Sequence, residues 1–229
     1  MIITIDGQAH TGKSTAAAKL AARHGCFLMN TGAMYRTVAH KLVAHGVPLV
    51  TDGREPPRDL LLKLIGDDVF ELDGDCVILN GELVDHDAIF TEAAGKAASI
   101  VGEYLEVRLK LQAEQRRIAA LHDRVIAEGR DQGSYVFPEA TCKFYLSAAV
   151  TVQARRYALK KQLQSDEGSP EFAALVLEFV QRNARDESRK HHPLKVPAGA
   201  VVVATDDLTP DDVLARLTEA VEPCLSRTG

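Results

Sequence analysis

Short apolar runs rich in β-branched residues alternate along this chain with longer stretches whose apolar positions recur every three or four residues. The first pattern marks strands buried on both faces and the second marks helices packed on them, so the alternation predicts a parallel sheet wrapped by helices. Five strands are expected, at 2–5, 26–29, 124–128, 143–146 and 200–204. Helices are expected to start near Lys13, Thr31, Thr151 and Thr209, with Gly25 closing the first and Pro210 in the opening turn of the last. Between positions 69 and 84, VFELDGDCVILNGELV breaks the rhythm, because strand-like residues alternate with DGD and NG turn signals. It predicts a small antiparallel meander inserted into the α/β core. The stretch at 91–122 is rich in helix formers and interrupted by Gly95 and Gly102, which predicts one or two long helices. QSDEGSP at 164–170 is the clearest flexible break.

With 229 residues, 46% of them hydrophobic, the chain can bury one sizeable core. Its 27 Lys+Arg against 32 Asp+Glu leave a net charge of -5, which excludes the broad basic face that a nucleic acid polymer requires. A small anionic ligand stays open, since a few arginines in one pocket suffice for it. Cys26, Cys76, Cys142 and Cys224 show no CxxC or Cys/His ligand spacing, so free thiols in a reducing compartment are expected rather than a zinc site or disulfide framework. No signal-like start and no apolar run of ~20 residues is present, so the expectation is a cytoplasmic protein without membrane spans. Nothing in the sequence demands more than a monomer.

The chemistry begins at the first strand. From Gly7 to Ser14 the residues satisfy G-x-x-x-x-G-K-[ST], between a strand and a helix as that motif requires. Glycines let the backbone turn so that successive N–H groups of Gly7, Gln8, Ala9, His10, Thr11, Gly12, Lys13, Ser14 and Thr15 can face nucleotide phosphates. Lys13 reaches the terminal phosphates and Ser14 supplies a hydroxyl for Mg²⁺. The loop does not name the acceptor, because GTPases, ATPases and small-molecule kinases share it.

Four further stretches bear on the acceptor: TGAMYR at 31–36, LNGELV at 79–84, AEGRDQGSYVFPEA at 127–140 and the RDESR…PL run at 185–194. Together, and in order over nearly the whole chain, they resemble bacterial cytidylate kinases. The resemblance implies one phosphate-loop kinase domain over 1–229, with an acceptor-binding insert at 58–92 and a lid at 153–170. It implies ATP and Mg²⁺ as donor and metal, and CMP and dCMP as acceptors. Taken plainly, Thr31 is a helix N-cap followed by Tyr35 and Arg36 on the first turns. The resemblance places all three at the acceptor, with Arg36 gripping its phosphate and Tyr35 shaping the pocket.

Arg130 and Asp131 follow the third strand, where α/β sheets bind ligands. As a plain feature they cap a surface turn; by resemblance Arg130 clamps phosphate and Asp131 accepts from the exocyclic amine of cytosine. Ser99 and Arg108 match the remaining base-reading positions, although alone they read as a small polar helix residue and a solvated arginine. Cytosine offers an amine donor and a ring-nitrogen acceptor, so an Asp acceptor and an Arg donor fit it and oppose both groups of uracil. QRNARDESRKHH would ordinarily be a solvated helix face; the resemblance puts Arg182 and Asp186 near the acceptor ribose and Arg185 and Arg189 among arginines approaching phosphate. His191 and His192 read as surface residues, 85–87 as a polar turn, and Arg155 and Arg156 as lid residues. This chain has Gln8, Ala9 and His10 where the family usually has proline, serine and glycine, and Gln153 where a lid arginine is common.

A nucleoside monophosphate is largely dianionic at neutral pH and needs no general base. The expected catalytic work is alignment and charge stabilisation by Lys13, Arg130, Arg156, Arg185 and Arg189. Two other readings stay open: a kinase for UMP, dTMP or a non-nucleotide alcohol, and a non-catalytic nucleotide-binding protein.

Overall fold

The computed structural model describes residues 1–50, 54–163 and 166–225. Gln164 and Ser165, the first two residues of the expected break, lie outside them. The strands are β1 (Ile2–Gly7), β2 (Phe27–Asn30), β3 (Phe70–Asp73), β4 (Cys76–Leu79), β5 (Glu82–Leu83), β6 (Val125–Gly129), β7 (Cys142–Ser147) and β8 (Val201–Ala204). The helices are α1 (Lys13–His24), α2 (Thr31–Ala44), α3 (Arg58–Ile65), α4 (His86–Ile89), α5 (Glu92–Val101), α6 (Leu105–Ala119), α7 (Val150–Lys161), α8 (Pro170–Ser188) and α9 (Pro210–Leu225). A π-helical turn spans Gln132–Val136.

The main sheet runs β2-β6-β1-β7-β8 and every pairing in it is parallel. Its five strands are those expected, displaced by one or two residues at their ends. β1 is central: Ile3 stands opposite Ile126 on one side and Cys142 on the other. Ile3 and Ile5, fully buried, pack with Leu20 of α1 and Leu217 of α9 on one face. Met34, Val38, Val107 and Leu111 of α2 and α6 cover the other. A third, smaller cluster joins Ala9, Ala154, Phe172 and Phe179 beneath the loop that follows β1.

Local chemistry sets the element ends. Gly25 closes α1 at φ 60, its N–H donating to the Ala21 carbonyl. The expected meander is the antiparallel sheet β3-β4-β5, and its second turn, Asn80-Gly81, has φ 55 and 83, the left-handed pair that an Asn-Gly hairpin requires. The stretch after it is two helices, since the chain turns at Gly102 while Gly95 stays inside α5. Asp85 caps α4 by accepting from Asp87 N, as a polar turn there implies.

Two expectations are corrected. Asn30, not Thr31, caps α2, because its side chain accepts from Ala33 N while Thr31 Oγ1 donates 2.8 Å to the Glu128 carbonyl. Cys142 and Cys224 are not free thiols but form a disulfide across 82 residues of sequence. α9 packs back along the sheet and brings its end to the start of β7, a juxtaposition that spacing alone does not reveal. Cys26 and Cys76 are free, as expected. Among the described residues no helix is long and apolar enough to cross a membrane.

Candidate active site

A cleft of about 620 Å³ opens at the carboxyl ends of β1 and β6. Its floor is the Ala9–Ser14 part of the loop that Gly7 opens. Gly7 has φ 147, and a Cβ there would stand 2.0 Å from the Leu146 carbonyl oxygen, so only glycine lets β1 leave the sheet so close to β7. Gly12, at φ 90, turns the chain into α1. Lys13 is buried and its Nζ donates to the Gln8 carbonyl at 3.1 Å. Burial, reinforced by Arg130, lowers its pKa to about 7 against the opposing pull of Glu128.

His10 holds φ 57, a left-handed geometry unusual for a residue with a side chain. Its ring meets Tyr157 of α7 and Phe179 of α8 edge-on, each 5.0 Å away, and these contacts offset the backbone cost. Burial and the surrounding cations Arg182 and Lys13 lower its pKa to about 3, so the imidazole is neutral. Gln8 turns away from the cleft. Its Nε2 donates to Glu187 at 2.9 Å and its Oε1 accepts from Gln153 Nε2 at 3.1 Å, while Gln153 Oε1 accepts from Asn183 at 3.1 Å. Gln153 is thus a buried strut between loop, α7 and α8.

Cations converge on the cleft. Eight Lys or Arg line it against Glu128, Asp131 and Asp186. Arg36 donates to the Ile89 and Thr91 carbonyls, and Gly95 gives it room, since a Cβ there would come within 2.9 Å of its Nη2. Arg130 pairs with Asp186 at 3.1 Å. Burial, with Arg130 beside it, lowers Arg182 to about 10. Arg182 Nε and Arg189 Nη2 are buried with no acceptor among the described residues. Both arginines line the cleft, whose surplus of cations suits an anion.

At the other end Arg108 and Asp131, both almost fully buried, pair at 2.8 Å, and Arg108 lies over the Tyr35 ring. Burial raises the Asp131 pKa, yet Arg108 and hydrogen-bonded His192 outweigh it and hold it at about 2. Asp131 opens the π-helical turn, a distortion frequent at functional sites. That turn is anchored from beneath by Asp6 of β1, which accepts from Gln132 N at 2.8 Å and Gly133 N at 2.7 Å. Burial lifts Asp6 to about 7 despite those two bonds.

Most residues expected at the site do line this cleft: Ala9 to Thr15, Thr31, Tyr35, Arg36, Ser99, Arg108, Arg130, Asp131, Arg156, Arg182, Asp186 and Arg189. Three do not line it. Gly7 and Gln8 shape the loop from outside, and Arg185 turns aside to Glu103 and Ser99, each at 3.4 Å. Arg108 is not the solvated helix arginine that its surroundings in sequence suggest. Sequence reasoning missed Glu128, whose carboxylate accepts from Ser14 Oγ at 3.0 Å, along with Asp6, His192 and the apolar wall of Leu208 and Val213. An acidic residue ending an apolar strand is a legible signal for Asp6 and Glu128. His192 carries none, for it reaches Asp131 only through the fold.

Residues 3–223 match the family described as cytidylate kinase. The chain belongs to the cytidylate kinase family. A cytidylate kinase of Caldanaerobacter subterraneus is 35% identical over 219 residues, which is 96% of this chain and 93% of that one. One from Chlamydia caviae is 38% identical, covering 98% and 100%. Among solved structures, a shikimate kinase from Bacteroides thetaiotaomicron superposes with a TM-score of 0.53 over 97% of this chain and 98% of its own, at 16% identity, a likeness of fold alone. Family membership makes the Gly7–Ser14 loop that of a kinase rather than of a GTPase.

Proposed function

We propose that the protein transfers the γ-phosphoryl group of ATP to CMP or dCMP, giving ADP and CDP or dCDP. The observation that carries this reading is one continuous cleft with the phosphate loop at one side and the buried Arg108–Asp131 pair at the other. Leu208 and Val213, apolar and beside the loop, suit a donor base. Asp131 accepts from the cytosine amine and Arg108 donates to the ring nitrogen, a pairing that uracil reverses. Thr31, Tyr35 and Ser99 complete that wall, Asp186 and Arg182 lie toward the ribose, and Arg36 and Arg189 hold the acceptor phosphate.

The acceptor dianion is itself the nucleophile, so the residues align two repelling anions and stabilise spreading charge. Lys13 and Arg130 stand where that charge develops, and their mutual repulsion in the free protein is relieved when phosphates arrive. Ser14 Oγ and the Glu128 carboxylate, 3.0 Å apart at the end of β6, form an all-oxygen donor pair that fits Mg²⁺. When bound there, Mg²⁺ supplies charge neutralisation for the transferring phosphates. Arg156 and Lys160 of α7 reach the cleft from the segment assigned to the lid, and its closure over both nucleotides excludes water.

ADP release measured with CMP, dCMP, UMP, AMP, GMP and dTMP tests the reading. Turnover with CMP and dCMP far above the others is expected. A different preferred acceptor, or ATP binding without turnover, sinks it.

A further inference from the structure

His192 stands out once the acceptor wall is assembled. Its Nδ1 lies 3.1 Å from Asp131 Oδ2, the oxygen that also accepts from Arg108. Asp131 is ionised and can only accept, so the hydrogen lies on His192 Nδ1. Arg108, Asp131 and Arg189 line the cleft and His192 does not, so the imidazole supports the carboxylate from behind.

The support is held in place at some cost. His192 has φ 49 and precedes Pro193, two conditions that each narrow its backbone freedom. Such a conformation persists where its surroundings over-determine it. Here the ring stacks on Tyr135 at 4.5 Å with 3° between the planes, and Lys195 covers the Tyr135 ring at 4.4 Å. The His192 carbonyl accepts from Arg189 Nε at 2.6 Å, and Leu194 N donates to the Asp186 carbonyl at 2.7 Å. The segment after α8 is therefore folded back on the helix end that carries Asp186 and Arg189, and is pinned to the residue at the far end of the acceptor wall.

We infer that His192 is a positioning residue for acceptor selection: its Nδ1–H orients the Asp131 carboxylate toward the pyrimidine amine and couples the base end of the site to Arg189 and Asp186. The inference rests on the proposed role of Asp131. Gln132 Nε2 donates to the other oxygen, Oδ1, at 3.3 Å, while Arg108 and His192 share Oδ2, and a carboxylate held at both oxygens has lost its freedom to rotate.

The test compares His192→Gly, His192→Asn and Asp131→Asn with the unaltered protein. Glycine removes the donor and accepts positive φ, and asparagine accepts it too while offering an amide in place of Nδ1–H. His192→Gly is expected to raise the KM for CMP about tenfold and to narrow the CMP-to-UMP preference, with kcat and the KM for ATP within about twofold. His192→Asn is expected to recover most of that loss. Unchanged CMP KM and preference in His192→Gly overturn the inference, as does equal loss for CMP and UMP or failure of asparagine to rescue. If Asp131→Asn leaves the preference intact, Asp131 does not read the base and the inference falls with that reading. If His192→Asn and Asp131→Asn behave as expected but His192→Gly does not fold, long-range ¹H–¹⁵N spectra of the unaltered protein decide: a proton on Nδ1 at pH 7.5 supports the assignment, and a bare Nδ1 overturns it.

Discussion

Asp131 carries the largest share of the acceptor reading and also closes a buried ion pair. Asp131→Asn leaves Arg108 without its counter-charge in a dry site, so about 3 kcal/mol of stability should be lost along with base discrimination. A melt run beside CMP and UMP kinetics separates the two effects: the KM for CMP should rise by one to two orders of magnitude while ATP affinity holds. Lys13 gives a pH signature. With its pKa lowered to about 7, the free protein sheds that proton above pH 7, whereas bound phosphates demand the charged form. ATP binding should therefore take up a proton at pH 8, and affinity should fall by up to about tenfold per unit above pH 7. Calorimetry in two buffers of different ionisation enthalpy measures that uptake directly, and none would place Lys13 away from the phosphates. Much at this scale was legible, since Lys13, Arg130 and Asp131 sit in recognisable motifs and all three line the cleft. What was not legible depends on partners distant in sequence: His192 lies 61 residues from Asp131, and Arg108 is buried because Tyr35 and Asp131 close over it.

At the level of elements, the five strands of the main sheet were readable because apolar β-branched runs have few alternatives inside an α/β core. α3 was missed, being short and lodged beside a meander whose turn signals dominate its neighbourhood. Gln153 stands on α7 where an arginine is common, yet it is a buried strut joined to Gln8, Ala148 and Asn183. Gln153→Ala should strand the Gln8 and Asn183 amides and lower stability by about 2 kcal/mol, which thermal unfolding would register. The KM for ATP should rise several-fold while the KM for CMP stays put, because the strut ends on the loop and not on the acceptor wall. Gly7→Ala is the harsher probe. Its Cβ would overlap the Leu146 carbonyl at 2.0 Å, so the loop must leave β7 and ATP binding should disappear in a titration.

Across the whole molecule, the Cys142–Cys224 disulfide fastens the end of α9 to the start of β7, at the opposite end of the parallel strands from the cleft. Cys142→Ser should lower the melting temperature by roughly 5–10 °C through freedom regained by the unfolded chain, and leave kcat and both KM values near their original levels. The distribution of charge has a different reach. A chain of net charge -5 concentrates eight lysines and arginines against three carboxylates in one cleft, so its body repels nucleotides while its mouth draws them in. The field is thereby focused into a funnel, and approaching anions are guided toward the cleft. Encounter rates for both nucleotides should accordingly fall as ionic strength climbs, far more steeply than the dissociation rates, as stopped-flow traces at two salt concentrations would record.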